Sequence, residues 1–199
     1  MIKKVHIATS RDIGEKCIKY AKEHMPEGYE LCKDMQDSDV LICVMYDTIL
    51  KEEFINKRRC YNFHAGLLPE YRGVGIFSWA ILNGETETGI TLHELDAGLD
   101  TGPIISCKKF PITTTSTAHA LYQEGMDALF VLFKQYFRKI VVGNYQSKRA
   151  EKKPNSLYTR KMLEEMRDIT RLIRALDFPG KEGLYYYNEN GDRTIIKHD

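Results

Sequence analysis

The segment of residues 39–45, DVLICVM, constrains the fold more than any other part of the sequence. After its first residue it is apolar throughout, which is typical of a parallel strand that is covered on both faces. Other strand-like runs lie on either side of it: KKVHIAT and YELCK before it, and CYNFH after it. An amphipathic stretch follows the first of these runs, with apolar residues at helical spacing at Ile13, Cys17, Ile18 and Ala21. This alternation predicts an α/β fold.

The second half of the chain continues the alternation and then changes composition. IFSWAILNGE predicts a helix, GITLHELD and GPIISCKKF predict two strands, and an apolar stripe predicts a long helix from Thr117 to about Gly143. The polar and basic run NYQSKRAEKKPNS then predicts a linker. We therefore expect a core of residues 1–150 and a short extension of residues 151–199. The extension is expected to hold a helix, DITRLIRAL, and a β-hairpin that turns at an Asn-Gly pair.

Composition and charge narrow the class of protein. A chain of 199 residues with 43% hydrophobic residues fits one domain, and its net charge of +1 predicts no general affinity for nucleic acid. Charged residues interrupt the N-terminus before a signal-peptide core forms, and no apolar run approaches the roughly 20 residues of a membrane span. The cysteines and histidines are scattered without metal-ligand spacing, which favours reduced thiols and no metal site. These features predict a cytoplasmic protein that does not bind membranes.

Two polar side chains stand inside a strand-like run, where such residues are unusual. Asn62 and His64 are two residues apart, so in an extended segment both project to the same face. The chain then leaves the strand through GLLPEYRG, and ligands of open α/β sheets bind beyond the carboxyl ends of strands. A third candidate, Asp100, lies in the glycine-rich loop LDAGLDTGPI. Taken singly, each of these residues is more often structural than functional, so spacing alone leaves both interpretations open.

The segments NFHAGLLPEYRG, SWAILNGE and GITLHELDAGLDTGPI resemble, in order and spacing, the core of the folate-dependent formyltransferases. The resemblance runs from about Val40 to Ile105. It implies a Rossmann-like core, 10-formyltetrahydrofolate as the co-substrate, and an amine as the acceptor of the formyl group. The positions that match the family's catalytic residues are Asn62, His64 and Asp100.

The same resemblance implies where the folate binds. Three segments match those that line the folate site of the family: TIL, GLLP and the loop from Asp96 to Asp100. The residues concerned are Thr48, Ile49, Leu50, Gly66, Leu67, Leu68, Pro69 and Asp96. Many relatives carry serine where this chain has Gly66, so we expect one hydroxyl near the pterin to be absent here.

The three catalytic candidates suit formyl transfer. An amine that attacks a formyl carbon forms a tetrahedral oxyanion, and an N–H donor such as Asn62 stabilises it by about 3 kcal/mol in comparable sites. His64 can donate to the oxyanion or carry the proton from the attacking nitrogen to the leaving one. Asp100 can orient the ring, favour its cationic form or accept the amine proton, and the sequence leaves these roles open. His93, in ITLHELD, is equally compatible with a place beside the folate and with a structural role.

The acceptor is predicted from the two ends of the chain. ATSRDIG stands where glycinamide ribonucleotide formyltransferases carry a glycine-rich phosphate loop, and the extension is short for the tRNA-binding domain of methionyl-tRNA formyltransferases. The segment RGVGIFSWAILNGE and the extension instead resemble the sugar-nucleotide N-formyltransferases, which formylate amino sugars carried on dTDP or UDP. Guanidinium groups suit a diphosphate and aromatic rings suit a base. The candidate contacts are Tyr158, Arg160, Lys161, Phe178 and Tyr185, although the aromatic residues fit packed strands equally well.

Other activities stay open at this point. They are formylation of glycinamide ribonucleotide or methionyl-tRNA, hydrolysis of 10-formyltetrahydrofolate by an enzyme resembling the family's deformylases, and a non-catalytic binding role. The three intact catalytic positions disfavour the last of these. The partners we expect are therefore small molecules, and a homodimer is compatible with the sequence.

Overall fold

The computed structural model describes residues 2–150, 157–158, 169–179, 185–187 and 193–195, and of residues 169–170, 185–187 and 193–195 it describes the backbone alone. The elements are β1 (Lys3–Thr9), α1 (Ile13–His24), β2 (Tyr29–Leu31), β3 (Val40–Val44), α2 (Glu52–Ile55), β4 (Arg59–His64), β5 (Arg72–Gly73), α3 (Ile76–Leu82), β6 (Glu87–Glu94), β7 (Ile104–Pro111), α4 (Ala118–Val142), β8 (Leu157–Tyr158), α5 (Ile169–Leu176), β9 (Tyr185–Tyr187) and β10 (Arg193–Ile195).

The centre of the fold is a mixed sheet of six strands in the order β2-β1-β3-β4-β6-β7. The strands β2, β1, β3 and β4 are parallel to one another, whereas β6 and β7 run antiparallel to their neighbours. All residues of β3 are buried, as expected for a parallel strand covered on both faces. The predicted α/β, Rossmann-like fold is confirmed.

Apolar side chains cover the sheet on both faces. On one face α1 and α4 pack over the sheet, and the aromatic side chains Tyr61, Phe63, Phe133 and Phe137 belong to this main core. On the other face a smaller cluster joins the strands to α2, through Ala8, Leu41, Cys43, Cys60 and Ile55. Because both faces are covered, the open positions for a ligand are at the ends of the strands.

The long helix α4 has the bounds that the sequence predicts. At its start the Thr117 hydroxyl accepts a hydrogen bond from the amide of Ala120 at 3.2 Å, and at its end Gly143 adopts φ +82°. None of the helices in the described part of the chain is long and apolar enough to span a bilayer.

The extension packs against the core in its described parts. On α5, the carbonyl of Ala175 accepts a hydrogen bond from Ser78 of α3 at 2.5 Å. The Arg174 side chain donates to the carbonyls of Thr113 and Ser116, just before α4, at 3.3 and 2.9 Å. Strands β9 and β10 pair antiparallel, as the predicted hairpin requires, and the turn between them lies outside the described residues. The strand β8 pairs parallel with β5, an arrangement that the sequence did not predict.

Candidate active site

A cavity of about 680 Å³ opens beyond the carboxyl ends of β3 and β4. Asn62, His64 and the following Ala65 line it, together with residues that follow β1 and β3. The remaining lining comes from residues 73–75, α3, the start of α4, the end of α5 and the segment that follows it, apart from Phe63 of β4. This is the position at which open α/β sheets bind ligands, because the loops after parallel strands diverge there.

His64 lies between two hydrogen-bond acceptors. Its Nε2 lies 2.7 Å from the carbonyl oxygen of Tyr71, and its Nδ1 lies 3.5 Å from the Asp100 carboxylate. The His64 and Asp100 side chains are both buried. A neutral imidazole has one N–H donor, whereas the imidazolium has two. A neutral ring can therefore donate to one of these two neighbours, and a doubly protonated ring can donate to both.

Asp100 is held in an uncommon backbone conformation. Its φ of +53° lies in the left-handed region, which few residues other than glycine adopt. Its Oδ2 accepts a hydrogen bond from the amide of Gly73 at 2.9 Å, and the same oxygen lies 3.5 Å from His64 Nδ1. The loop thus directs the carboxylate toward the ring at some cost in backbone strain, which is common at functional sites.

Asp96 closes the loop that carries Asp100. Its carboxylate accepts hydrogen bonds from the amide of Gly98 at 3.1 Å, the hydroxyl of Thr101 at 2.5 Å and the guanidinium of Arg149 at 3.0 Å. Partial burial raises the pKa of Asp96, but the hydrogen bonds from Thr101 and Arg149 lower it by more, so that its pKa lies below the usual value. The loop is therefore stabilised by an ionised carboxylate.

His93 fixes the direction of the Asn62 amide. Its Nδ1 donates to the carbonyl of Glu94 at 2.8 Å, which leaves Nε2 to accept from the Asn62 amide nitrogen at 3.2 Å. Burial lowers the pKa of His93 to about 4, and the neighbouring His64 lowers it as well, so the ring is neutral and Nε2 stays an acceptor. A shift in the β6–β7 register lies between Leu92 and His93. One Asn62 N–H is used here, and the other remains to bind a reacting group.

The turn after β4 leaves no space for a side chain at Gly66. A Cβ there would lie 2.8 Å from His64 Nε2 and 2.8 Å from the carbonyl oxygen of Tyr71. The buried Thr91 hydroxyl holds the turn, because it donates to the carbonyl of Gly66 at 2.6 Å and accepts from the amide of Leu68 at 3.1 Å. Glycine at this position therefore follows from close packing against the His64–Tyr71 hydrogen bond.

The other residues that the sequence predicts for the folate lie outside this cavity lining. Thr48 and Ile49 are exposed, and 81% of the surface of Ile49 is accessible to solvent. Leu50 is half-buried and packs against the smaller core cluster. Leu67 and Pro69 are half-buried in the turn after β4.

The structure separates the predicted acceptor contacts. Phe178 lines the cavity that holds Asn62 and His64, and its ring lies 5.7 Å from that of His119. Tyr158 does not line the cavity, because its ring stacks on Tyr71 at a centroid distance of 5.0 Å. Arg160 and Lys161 lie outside the described residues, and Tyr185 lies in β9, where the backbone alone is described.

Sequence reasoning missed the groups that hold the candidate catalytic residues. Two of them, the carbonyl of Tyr71 and the amide of Gly73, are backbone groups and leave no signal in residue type. For His93 the sequence leaves a place beside the folate and a structural role equally open, and its only signal is a histidine in an apolar strand. No group of three or more His, Cys, Asp or Glu side chains among the described residues is arranged to hold a metal ion.

Comparison with known proteins defines the class. The family model described as formyl transferase matches residues 5–132, more than half of the 199-residue chain. The chain therefore belongs to the formyl transferase family. The matched part includes Asn62, His64 and Asp100 and ends within α4.

Curated relatives are methionyl-tRNA formyltransferases. The protein of Sinorhizobium fredii is 40% identical over 109 residues, which are 54% of this chain and 35% of the relative. The protein of Clostridium tetani is 32% identical over 171 residues, which are 81% of this chain and 54% of the relative. The chain thus spans between a third and about half of the length of these two relatives.

Solved structures that share the fold include sugar N-formyltransferases. A sugar N-formyltransferase from a Shewanella species superposes with a TM-score of 0.86 at 19% identity, over 100% of this chain and 98% of that one. A 4-N formyltransferase from Francisella tularensis superposes with a TM-score of 0.76 at 16% identity, over 99% of this chain and 97% of that one. An N-formyltransferase from Helicobacter canadensis was solved in complex with folinic acid and dTDP-3-aminofucose. It superposes with a TM-score of 0.72 at 23% identity, over 89% of this chain and 81% of that one. At these identities the likeness shows a shared fold.

Proposed function

We propose that this chain is an N-formyltransferase that moves a formyl group from 10-formyltetrahydrofolate to the amine of a nucleotide-linked amino sugar. One observation carries the proposal. A single cavity is lined both by Asn62 and His64 and by several aromatic residues, among them Trp79, Tyr122 and Phe178. The polar pair suits acyl transfer and the aromatic rings suit a flat base on the same acceptor.

The geometry supports a role for each candidate catalytic residue. The acceptor nitrogen attacks the formyl carbon, and the free amide N–H of Asn62 donates to the oxyanion that forms. The His64 ring exchanges its hydrogen bond to the Tyr71 carbonyl for one to the reacting atoms, and it gives a proton to the folate nitrogen when the bond from that nitrogen to the formyl carbon breaks. The attacking nitrogen loses one proton in the same step, which returns a proton to the ring. Asp100 orients the ring through Nδ1.

The folate contacts remain those that the family resemblance implies. We propose that the donor binds between the segment after β3 and the turn after β4, where its contacts are Thr48, Ile49, Leu50, Gly66, Leu67, Leu68, Pro69 and Asp96. The Helicobacter canadensis protein, which shares the fold, was crystallised with folinic acid, a formylated folate, and this supports a folate as the donor.

Two observations favour a sugar nucleotide as the acceptor. The Shewanella sugar N-formyltransferase superposes with a TM-score of 0.86 over 100% of this chain and 98% of that one. The Helicobacter canadensis protein binds dTDP-3-aminofucose. We propose Phe178 as a contact to the base, and Arg160, Lys161 and Tyr185 as further contacts in an extension of residues 151–199 that adds to a catalytic core of residues 1–150.

A second candidate is formylation of methionyl-tRNA. The observation in its favour is the 32–40% sequence identity to curated methionyl-tRNA formyltransferases. The net charge of +1 disfavours it, because phosphate contacts to a tRNA need an excess of basic side chains.

The test is a side-by-side assay of the purified protein with 10-formyltetrahydrofolate. The acceptors are dTDP- and UDP-linked amino sugars, glycinamide ribonucleotide and charged initiator tRNA, with a reaction lacking any acceptor. We expect formylation of an amino-sugar nucleotide. Preference for either of the other two acceptors would overturn the assignment, and release of formate at the full rate without an acceptor would indicate a hydrolase.

A further inference from the structure

Three consecutive residues, Tyr71 to Gly73, hold both members of the His64–Asp100 pair through their backbone. The carbonyl of Tyr71 accepts from His64 Nε2 at 2.7 Å, and the amide of Gly73 donates to the Asp100 carboxylate at 2.9 Å. A displacement of this segment would change the surroundings of the ring and of the carboxylate together. The position of Tyr71–Gly73 therefore sets the geometry of the pair.

The segment is in turn held by β8, which lies in the extension. Residues Arg72 and Gly73 pair parallel with Leu157 and Tyr158, and the Tyr158 carbonyl accepts from the amide of Val74 at 3.2 Å. The approach is close, because a Cβ on Gly73 would lie 2.4 Å from the Tyr158 carbonyl oxygen, and Gly73 has φ +99°. Only glycine allows this backbone contact without strain.

The Tyr158 side chain adds a second attachment. Its ring stacks on the Tyr71 ring with a centroid distance of 5.0 Å and an interplanar angle of 10°. The Tyr158 ring also contacts the Trp79 ring, with a centroid distance of 5.1 Å. The Asn83 amide donates to the phenol oxygens of both Tyr158 and Tyr71, at 2.9 and 3.0 Å. The Tyr71 phenol also donates to Glu85 at 2.6 Å. Asn83 and Glu85, which follow α3, thus hold the phenol groups of Tyr71 and Tyr158 next to each other.

We infer that Tyr158 is a positioning residue for formyl transfer, which acts through the Tyr71–Gly73 segment on His64 and Asp100. This inference rests on the proposed function for its kinetic consequence. Tyr158 stacks on protein side chains and does not line the cavity, so its expected effect is on the chemical step and not on the binding of the acceptor. The extension then completes the catalytic geometry as well as supplying acceptor contacts.

The main variant is Tyr158→Leu, which keeps an apolar side chain and removes the stacked ring and the phenol. We expect kcat to fall by roughly tenfold to a hundredfold, since small displacements of catalytic groups have effects of this size. KM for the folate and for the acceptor should stay within about threefold of the wild type. The milder variant Asn83→Ala removes one donor from both phenols, and it should lower kcat in the same direction by about threefold.

The matched control is Tyr20→Leu. Tyr20 is a half-buried tyrosine that stacks on His24 at 3.9 Å, on α1 and away from the cavity. Its loss should lower the midpoint of thermal unfolding without changing kcat by more than about twofold. The control separates a general loss of stability from a loss of positioning.

A substrate-independent readout keeps the inference separate from the proposed function. Long-range ¹H–¹⁵N spectra report the protonation and hydrogen bonding of the His64 ring nitrogens. We expect the His64 signals to move in Tyr158→Leu and in Asn83→Ala, and to stay in place in Tyr20→Leu. Unmoved signals in both site variants would overturn the inference, as would a rise in KM for the acceptor at unchanged kcat. If the wild type formylates no acceptor, the proposed function fails while these spectra still decide the positioning role.

Discussion

The two sides of the cavity are built in different ways. On the polar side, Asn62 and His64 stand at the end of a central strand and are tied to buried hydrogen-bonding partners. On the aromatic side, Tyr122 and Phe178 come from α4 and from the segment after α5, and their rings contact each other at 6.0 Å. Phe178 lies beyond the part of the chain that the family model matches. The polar side is therefore built on the sheet, whereas the aromatic side is built on a helix and on a segment that the family model does not match.

The difference has a physical basis. A buried polar group that loses its partner is destabilised by about 1–3 kcal/mol, so the polar side tolerates few arrangements. Ring contacts are less directional, and an aromatic residue can be exchanged for another shape without leaving a buried polar group unpaired. Members of one family can therefore share a reaction and still bind acceptor molecules of different size.

The largest expected effect is on the polar side. Replacing the ring in His64→Asn removes the group that transfers the proton, so we expect turnover to fall by 10²-fold or more. The affinity for the folate should stay nearly unchanged, because the interaction is made with the reacting atoms. Steady-state kinetics and folate titration measure the two effects. His6→Asn is the control on β1, and a His64 variant that kept most of its turnover would remove this ring from the mechanism.

The next effect concerns stability of the polar side at acid pH. Because burial lowers the pKa of His93 to about 4, the unfolded chain binds a proton below about pH 6.5 that the folded chain does not. Stability should therefore be lost as the pH falls from about 6.5 toward 4, by about 2 kcal/mol between pH 7 and pH 5. Urea unfolding at the two pH values, in the wild type and in His93→Met, measures it. An equal pH dependence in both proteins would contradict the prediction.

The third effect tests the charge of the pair. Asp100→Asn keeps the shape and replaces the carboxylate that faces His64 Nδ1 by a neutral amide, so the ring is oriented less well for proton transfer. We expect turnover to fall by about tenfold, measured by steady-state kinetics. Asp39→Asn, on an exposed carboxylate outside the cavity lining, is the control for loss of one charge. An unchanged turnover would make Asp100 purely structural.

The sequence predicted the strands and the main helices because each carries its own periodic signal. The apolar run of β3 and the cap and terminal glycine of α4 are examples in which local residue types agree with the final fold. The two-residue strands β5 and β8 have no period to detect, and their pairing joins distant parts of the chain. Short pairings of this kind are decided by tertiary packing.

The sequence predicts the candidate side chains of the site, but it does not predict the groups that form hydrogen bonds to them. Asn62, His64 and Asp100 stand in a recognisable order and spacing, so a resemblance is enough to select them. The Gly73 amide is a backbone group that any residue sequence would provide, and the place of His93 depends on a register shift in β6 and β7. Sequence patterns name reacting groups more readily than the groups that orient them.

The fourth effect lies on the aromatic side. Phe178→Ala should raise KM for the acceptor by about fivefold, since stacking on a base is worth on the order of 1 kcal/mol. KM for the folate should not change. Phe130→Ala, on a half-buried phenylalanine of α4 that does not line the cavity, is the matched control. If Phe178→Ala lowered kcat and left both KM values in place, the aromatic side would act on the chemistry, and the contrast between the two sides would fail.

The smallest effect tests the donor. Ile49 is an apolar side chain with 81% of its surface accessible, so a ligand that covers it gains free energy from burial. Truncation in Ile49→Ala removes part of that apolar area, and at about 25 cal/mol per Å² the loss corresponds to roughly a threefold rise in KM for the folate. The acceptor KM and kcat should stay constant, because the residue lies outside the cavity lining. Val142→Ala, at an exposed valine at the end of α4, controls for the loss of surface apolar area elsewhere. An unchanged folate KM would remove Ile49 from the donor site, and equal rises in both KM values would indicate that this segment shapes the cavity instead of contacting the folate.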